Sequence, residues 1–164
     1  MLCSTFILYI PVLLCSFHVY CADRVSLRHG EWIRDNEETL VSLGRKFELG
    51  FFGPTRSSED KRYVGIWYMS DKQIIVWVAN RDSSLINTTT GAFEFTTDGS
   101  LTVLDTSSGK VHWYSELGSY YRCDPCTTTD RIVNLTDSGN LVLFNNETGL
   151  WESFNNPVDT FVQT

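Results

Sequence analysis

Positive charge, histidine and cysteine are all scarce in this chain, and a helical period is almost absent. Against 20 Asp and Glu stand 13 Lys and Arg, a formal charge of -7. Such a surface repels phosphates instead of neutralising them, which excludes nucleic acid and anionic lipid as partners. His29 and His112 are the two histidines that follow Ala22, and neither has an obvious acidic or thiol partner. With no glycine-rich phosphate loop and no nucleophile beside a base, neither an enzyme nor a bound cofactor is expected. A zinc site would need two more soft ligands than the cysteines supply, so no metal is expected either.

From Met1 to Ala22 there is no Asp, Glu, Lys or Arg, and Phe6-Ile-Leu-Tyr-Ile-Pro-Val-Leu-Leu14 is a compact apolar run. This is the form of a secretory signal peptide, residues 1–22, cut near Val19-Tyr-Cys-Ala22. The alternative, a retained signal anchor, wants about 20 uninterrupted apolar residues, and Pro11, Ser16 and His18 break this one. No other segment is apolar enough to span a bilayer as a helix. The rest of the chain, roughly 140 residues, suits one domain with a single core. Secretion to the cell exterior follows as an expectation, with no membrane attachment after cleavage.

Of five cysteines, Cys3 and Cys15 leave with the leader and Cys21 sits at the cut, so Cys123 and Cys126 remain. In an oxidising compartment this pair is a candidate disulfide, preferred over a redox motif because no βαβ context surrounds it. Asn87, Asn134 and Asn146 each begin an Asn-x-Ser/Thr sequon and are candidate glycosylation sites.

What the chain does have is short β-branched and aromatic runs separated by turn residues. Strands are predicted at 45–52, 63–68, 74–79, 92–96, 100–104, 110–114, 131–135 and 140–144, and a last strand from Phe154 to Thr164. Between them stand Gly53-Pro54, Asp98-Gly99, Ser108-Gly109, Ser138-Gly139 and Asn145–Gly149. An all-β domain follows.

A repeat underlies the pattern. The runs 98–115 and 137–153 share the order Asp, turn, apolar alternation, turn with Gly, Trp, Ser. The offset from Asp98 to Asp137 is 39 and that from Trp113 to Trp151 is 38, while Trp77, in a looser third copy, precedes Trp113 by 36. Three copies imply threefold pseudo-symmetry. Three small sheets sharing an axis can fill it with one large aromatic from each, which makes Trp77, Trp113 and Trp151 candidate core residues. Trp32 and Trp67 are not placed by this argument.

The runs Phe47–Pro54, Tyr63–Tyr68, Val76–Asp82, Asp137–Leu143 and Trp151–Thr160 together resemble the bulb-type lectin domain that opens plant S-domain (G-type lectin) receptor-like kinases and S-locus glycoproteins. The resemblance covers about residues 24–160. It implies a β-prism II fold of three four-stranded antiparallel sheets over residues 23–160, with 161–164 a truncated tail. It also implies that the regions which usually follow, ending in a membrane helix and a cytoplasmic kinase, are absent, so the chain is expected to phosphorylate nothing.

In mannose-binding relatives each sheet carries Gln-x-Asp-x-Asn-x-Val-x-Tyr on one strand. The strand's period of two brings alternate polar groups to one face, where they meet sugar hydroxyls while Val packs on ring carbons. Laid over the second copy, this pattern falls on Thr96, Asp98, Ser100, Thr102 and Leu104; over the third, on Thr136, Ser138, Asn140, Val142 and Phe144. The first copy is set at Ser58, Asp60, Arg62, Val64 and Ile66. No copy is complete. Asp60, Asp98, Ser100, Asn140 and Val142 stand as degenerate carbohydrate-binding candidates, although Asp98 and Asn140 also read as ordinary turn residues. The expected partners are glycans of mannose type or, alternatively, extracellular proteins and receptor ectodomains, with a homo- or hetero-dimer as one form of that association.

Overall fold

The computed structural model describes residues 23–35, 38–53, 60–86, 90–117 and 131–156. These form thirteen strands: β1 Ser26–Arg28, β2 Trp32–Arg34, β3 Leu40–Val41, β4 Phe47–Phe52, β5 Lys61–Tyr68, β6 Asp71–Val78, β7 Leu85–Ile86, β8 Gly91–Phe95, β9 Leu101–Asp105, β10 Lys110–Tyr114, β11 Arg131–Leu135, β12 Leu141–Asn145 and β13 Thr148–Glu152. No helix among the described residues is long and apolar enough to cross a membrane.

The strands make three antiparallel sheets in the orders β3-β4-β5-β6, β2-β8-β9-β10 and β1-β11-β12-β13, here called the first, second and third sheets. Each is a three-stranded meander completed by one short strand from the stretch before Ser42. The N-terminal stretch therefore visits all three sheets and ties them together. The first sheet is five-stranded where four were expected, because β7 pairs with Lys61 and Arg62 at the start of β5, beyond the reach of β6.

Alternation decides which face looks inward. Along β11, Arg131, Val133 and Leu135 are buried and the residues between are half-buried. Leu27, Ile33, Leu49, Val64, Ile66, Phe93, Phe95, Leu101, Val103, Val133, Leu141 and Leu143 converge with no residual exposure. Trp77, Trp113 and Trp151 stand on β6, β10 and β13, the last strand of each meander. Their ring centroids form a triangle of 5.7, 5.8 and 6.0 Å with edge-to-face geometry throughout. Trp77 and Trp151 are buried and Trp113 packs partly buried against the same cluster.

The repeat extends to the hydrogen bonds. Ser115 and Ser153, each two positions past a core Trp, accept the Leu101 and Leu141 N–H at 2.9 Å. Asn80 Oδ1 does the same for Val64 at 2.8 Å. Gly99 and Gly139 both sit at φ 85 in matching turns, and the offset between them, like that between Leu101 and Leu141, is 40. The offset falls to 38 at the tryptophans because the β9–β10 turn has four residues and the β12–β13 turn two. Asp98 and Asp137, at an offset of 39, are thus not equivalent. Asp98 folds into its own turn, while Asp137 reaches the first sheet and accepts the Gly44 N–H at 2.8 Å.

Five strands lie outside the predicted set. β1, β2, β3 and β7 are too short to show a period, and β13 begins inside the stretch Asn145–Gly149 read as one turn. The predicted strand from Phe154 is also corrected: Ser153–Asn155 is a 3-10 turn, and residues beyond 156 lie outside the described ones.

Candidate glycan-binding faces

Period-two alternation gives each sheet an outer face opposite the core, and the three faces differ. On the second sheet the ladder aligns Trp32, Glu94, Thr102 and Tyr114 in one row. Ile33, Phe93 and Val103 beside them point into the core, so this row looks outward. Trp32 is 41% exposed and Tyr114 50%. The Arg34 guanidinium lies 4.6 Å from the Trp32 ring centroid. Burial pushes the Glu94 carboxyl above its ordinary range, and the charge of Asp98 adds to the effect.

The motif positions of that sheet close one end of the row. Asp98 Oδ1 accepts the Ser100 hydroxyl at 2.6 Å and the Ser100 N–H at 3.2 Å, and the Thr96 hydroxyl also donates to it. The acid expected to face a sugar is engaged by its own hairpin. Because the Asp98 charge raises the Glu94 carboxyl, Asp98→Asn is expected to move the Glu94 titration midpoint down. Carboxyl-carbon NMR across the acidic range reads this, and an unmoved midpoint would disprove the coupling.

On the third sheet Asn140 is equally occupied. Its Nδ2 donates to Glu152 Oε2 at 3.0 Å, and its Oδ1 accepts the Ser153 hydroxyl at 2.9 Å and the Phe154 N–H at 3.2 Å. Val142 lies between Asn134 and Glu152 across the ladder. Only part of the row is therefore free to meet a ligand.

The first sheet differs most from expectation. Val64 and Ile66 have no exposure and belong to the core, so the register chosen for the first copy points inward and is corrected by one position. The outer face instead carries Phe52, Tyr63, Trp67, Ile75 and Val78, packed as a second apolar cluster. Beneath it Trp67 Nε1 donates to Glu48 Oε2 at 2.9 Å, and Lys72 pairs with the same oxygen at 2.7 Å. Burial works to raise the Glu48 carboxyl, but the bonds from Lys72, Trp67 and Thr39 outweigh it and hold it below its usual range. Asp60 is exposed just ahead of β5. Arg62 is drawn away to Asp35, and Ser58 lies outside the described residues. This face is filled by the chain's own side chains.

Among the remaining candidates, Asn134 lies within β11 and Asn146 in the β12–β13 turn at φ 53. Asn87, Cys123, Cys126 and the leader lie outside the described residues. No group of three His, Cys, Asp or Glu suited to a metal occurs among the described residues. Trp32 and Glu94 escaped the motif comparison because they lie on β2 and β8, not on the motif strand. For Glu94 the signal was the alternation Ala-Phe-Glu-Phe, whereas the three residues of β2 are too few to give one for Trp32.

Residues 74–164 match the family described as D-mannose binding lectin. The chain belongs to this bulb-type lectin family. Two G-type lectin S-receptor-like serine/threonine-protein kinases of Arabidopsis thaliana are similar to this lectin chain, at 43% identity over 76% of it and 39% over 84%. The chain spans 14% and 16% of their respective lengths. Among solved structures, a lectin of Marasmius oreades superposes with TM-score 0.53 at 15% identity, over 79% of this chain and 90% of that one. A monomeric monocot mannose-binding lectin of Gastrodia elata gives 0.52 at 16%, over 79% and 96%. These likenesses show the β-prism II fold for this bulb-type lectin domain.

Proposed function

We propose that this chain is an extracellular recognition module that binds mannose-type glycans on the outer face of its second sheet. The observation that carries the reading is the outward row whose ends, Trp32 and Tyr114, are exposed, with Glu94 half-buried and Thr102 buried between them, when the first sheet's face is filled and the third sheet's Asn140 is tied down. An indole face stacks on sugar C–H groups, and a carboxylate accepts hydroxyls through charge-assisted bonds. The Asp98–Ser100 turn bounds the site. Residues 1–22 act as the secretory leader in this reading. The kinase activity in the relatives' names is theirs; this chain contributes recognition.

A shallow site of millimolar strength holds only about 4 kcal/mol in total, so loss of one stacking surface is felt strongly. On a glycan array followed by calorimetry, Trp32→Ala is expected to weaken binding about tenfold, a loss of about 1.4 kcal/mol. Asp60→Ala, at the mouth of the filled face, is expected to bind as the parent does. Unchanged affinity in Trp32→Ala would refute the second-sheet assignment.

A protein-recognition reading draws support from β10, an edge strand exposing Val111 at 52% and Tyr114 at 50% beside Trp113. Edge strands offer unpaired backbone groups to a partner strand. Light scattering of the same domain would show self-association if the partner were a second copy.

A further inference from the structure

The outer face of the third sheet carries a chemical handle that the second lacks. Asn134-Leu135-Thr136 is an acceptor for oligosaccharide transfer. Since Val133 and Leu135 are buried, the Asn134 side chain leaves the opposite surface, the only direction in which a bulky glycan fits. The ladder sets Asn134 against Val142 on one side and Ser26 on the other, and sets Ile132 against Phe144. Directly opposed residues have Cβ atoms about 5 Å apart. The first sugar on Asn134 therefore lies over Val142, the motif position of the third copy, which is only 5% exposed. In the second sheet the equivalent place opposite Thr102 is held by Glu94, which cannot be so modified. The sequon at Asn146 lies in a turn, off this row.

We infer that Asn134 bears an N-linked glycan lying across Val142 and Phe144, closing the third sheet's outer face to free sugars and leaving the second as the open one. The inference rests on the extracellular reading above, and not on sugar binding by the second sheet. In the covalent step Asn134 Nδ2 attacks the anomeric carbon of an oligosaccharide carried on a lipid diphosphate. The bond from that carbon to the diphosphate oxygen breaks, the N–C bond forms, one amide proton goes to a base on the transferring enzyme and the lipid diphosphate leaves. No atom changes its overall oxidation level. Transfer to the unfolded chain removes any obstacle from the strand, and the finished fold keeps the glycan outside.

The test uses the full chain from a eukaryotic secretory host. Peptide mass spectrometry reads occupancy at Asn134, and hydroxyl-radical footprinting reads Phe144, Ile132 and Trp32 before and after an amidase releases whole glycans. Labelling of Phe144 and Ile132 is expected to rise several-fold on release, and equally in Asn134→Gln. Trp32 labelling is expected to stay constant, and Asn146→Gln to leave Phe144 as in the parent. A bare Asn134 beside a glycosylated Asn146, or Phe144 labelling indifferent to the glycan, overturns the inference alone. If both asparagines are bare and the leader is retained, the extracellular reading falls with it.

Discussion

Trp77→Ala is expected to destabilise the domain by about 3–5 kcal/mol, the range for deleting a large buried aromatic. Trp77 is 5% exposed and meets the rings of both Trp113 and Trp151 edge to face, at 5.7 and 6.0 Å. Each such pair adds about 0.5–1.5 kcal/mol beyond the area buried. Its Nε1 also donates to the Asn156 carbonyl at 3.2 Å, anchoring the chain beyond β13. Small domains have only about 5–15 kcal/mol of net stability, so the variant is expected to approach unfolding at ambient temperature. Urea denaturation followed by far-ultraviolet circular dichroism measures the change. A loss below about 1 kcal/mol would mean that the prism does not depend on its aromatic axis. The triangle makes a second, finer comparison available. Trp151 Nε1 is buried with no hydrogen-bond partner among the described residues, so Trp151→Phe is expected to cost less than Trp77→Phe, which forfeits a bond.

Arg62→Met is expected to be nearly as damaging, for an electrostatic reason. The guanidinium holds Asp35 with two bonds, Nε to Oδ2 at 2.8 Å and a shorter one from Nη2 to Oδ1. The Asp35 side chain has 0% exposure and that of Arg62 23%. This pair links the end of β2 in the second sheet to β5 in the first. Removing one partner of a buried pair strands the other charge and costs about 3–5 kcal/mol, whereas replacing both by apolar groups is often near neutral. The double variant Asp35→Leu/Arg62→Met is therefore expected to recover much of the stability lost by Arg62→Met. Thermal or urea unfolding of the three proteins tests this, and a double variant no better than the single one would show that the charge pair is not the cause.

Arg62 also shows why the candidate site is only partly legible in the sequence. The register set for the first copy places it at the Asn position, where it does not match, and keeps only Asp60 and Val64. A one-position slip exchanges the two faces of a strand, and the alternation Tyr63-Val64-Gly65-Ile66-Trp67 is apolar on both sides, so nothing local distinguishes in from out. Burial of Val64 and Ile66 resolves the register. In the second and third copies the motif positions fall on the outward side of β9 and β12, because Leu101 and Val103, or Leu141 and Leu143, take the core side. What the motif comparison could not show there was occupancy: Asp98 and Asn140 are present, yet each is consumed by hydrogen bonds within its own sheet.

The sequence by itself determined the all-β class, the threefold repeat and the identity of the three tryptophans now found about the axis. These follow from period-two patterning, turn residues and spacing, which are properties of neighbours along the chain. Only the tertiary structure decided that three short strands before Ser42 each complete a different sheet. It alone filled the first outer face with Phe52, Tyr63 and Trp67, and aligned Trp32 with Glu94, Thr102 and Tyr114. Those outcomes depend on contacts between segments far apart in the chain, as Trp32 is from Glu94, whose pairing is set by a shared core and leaves no period in the sequence.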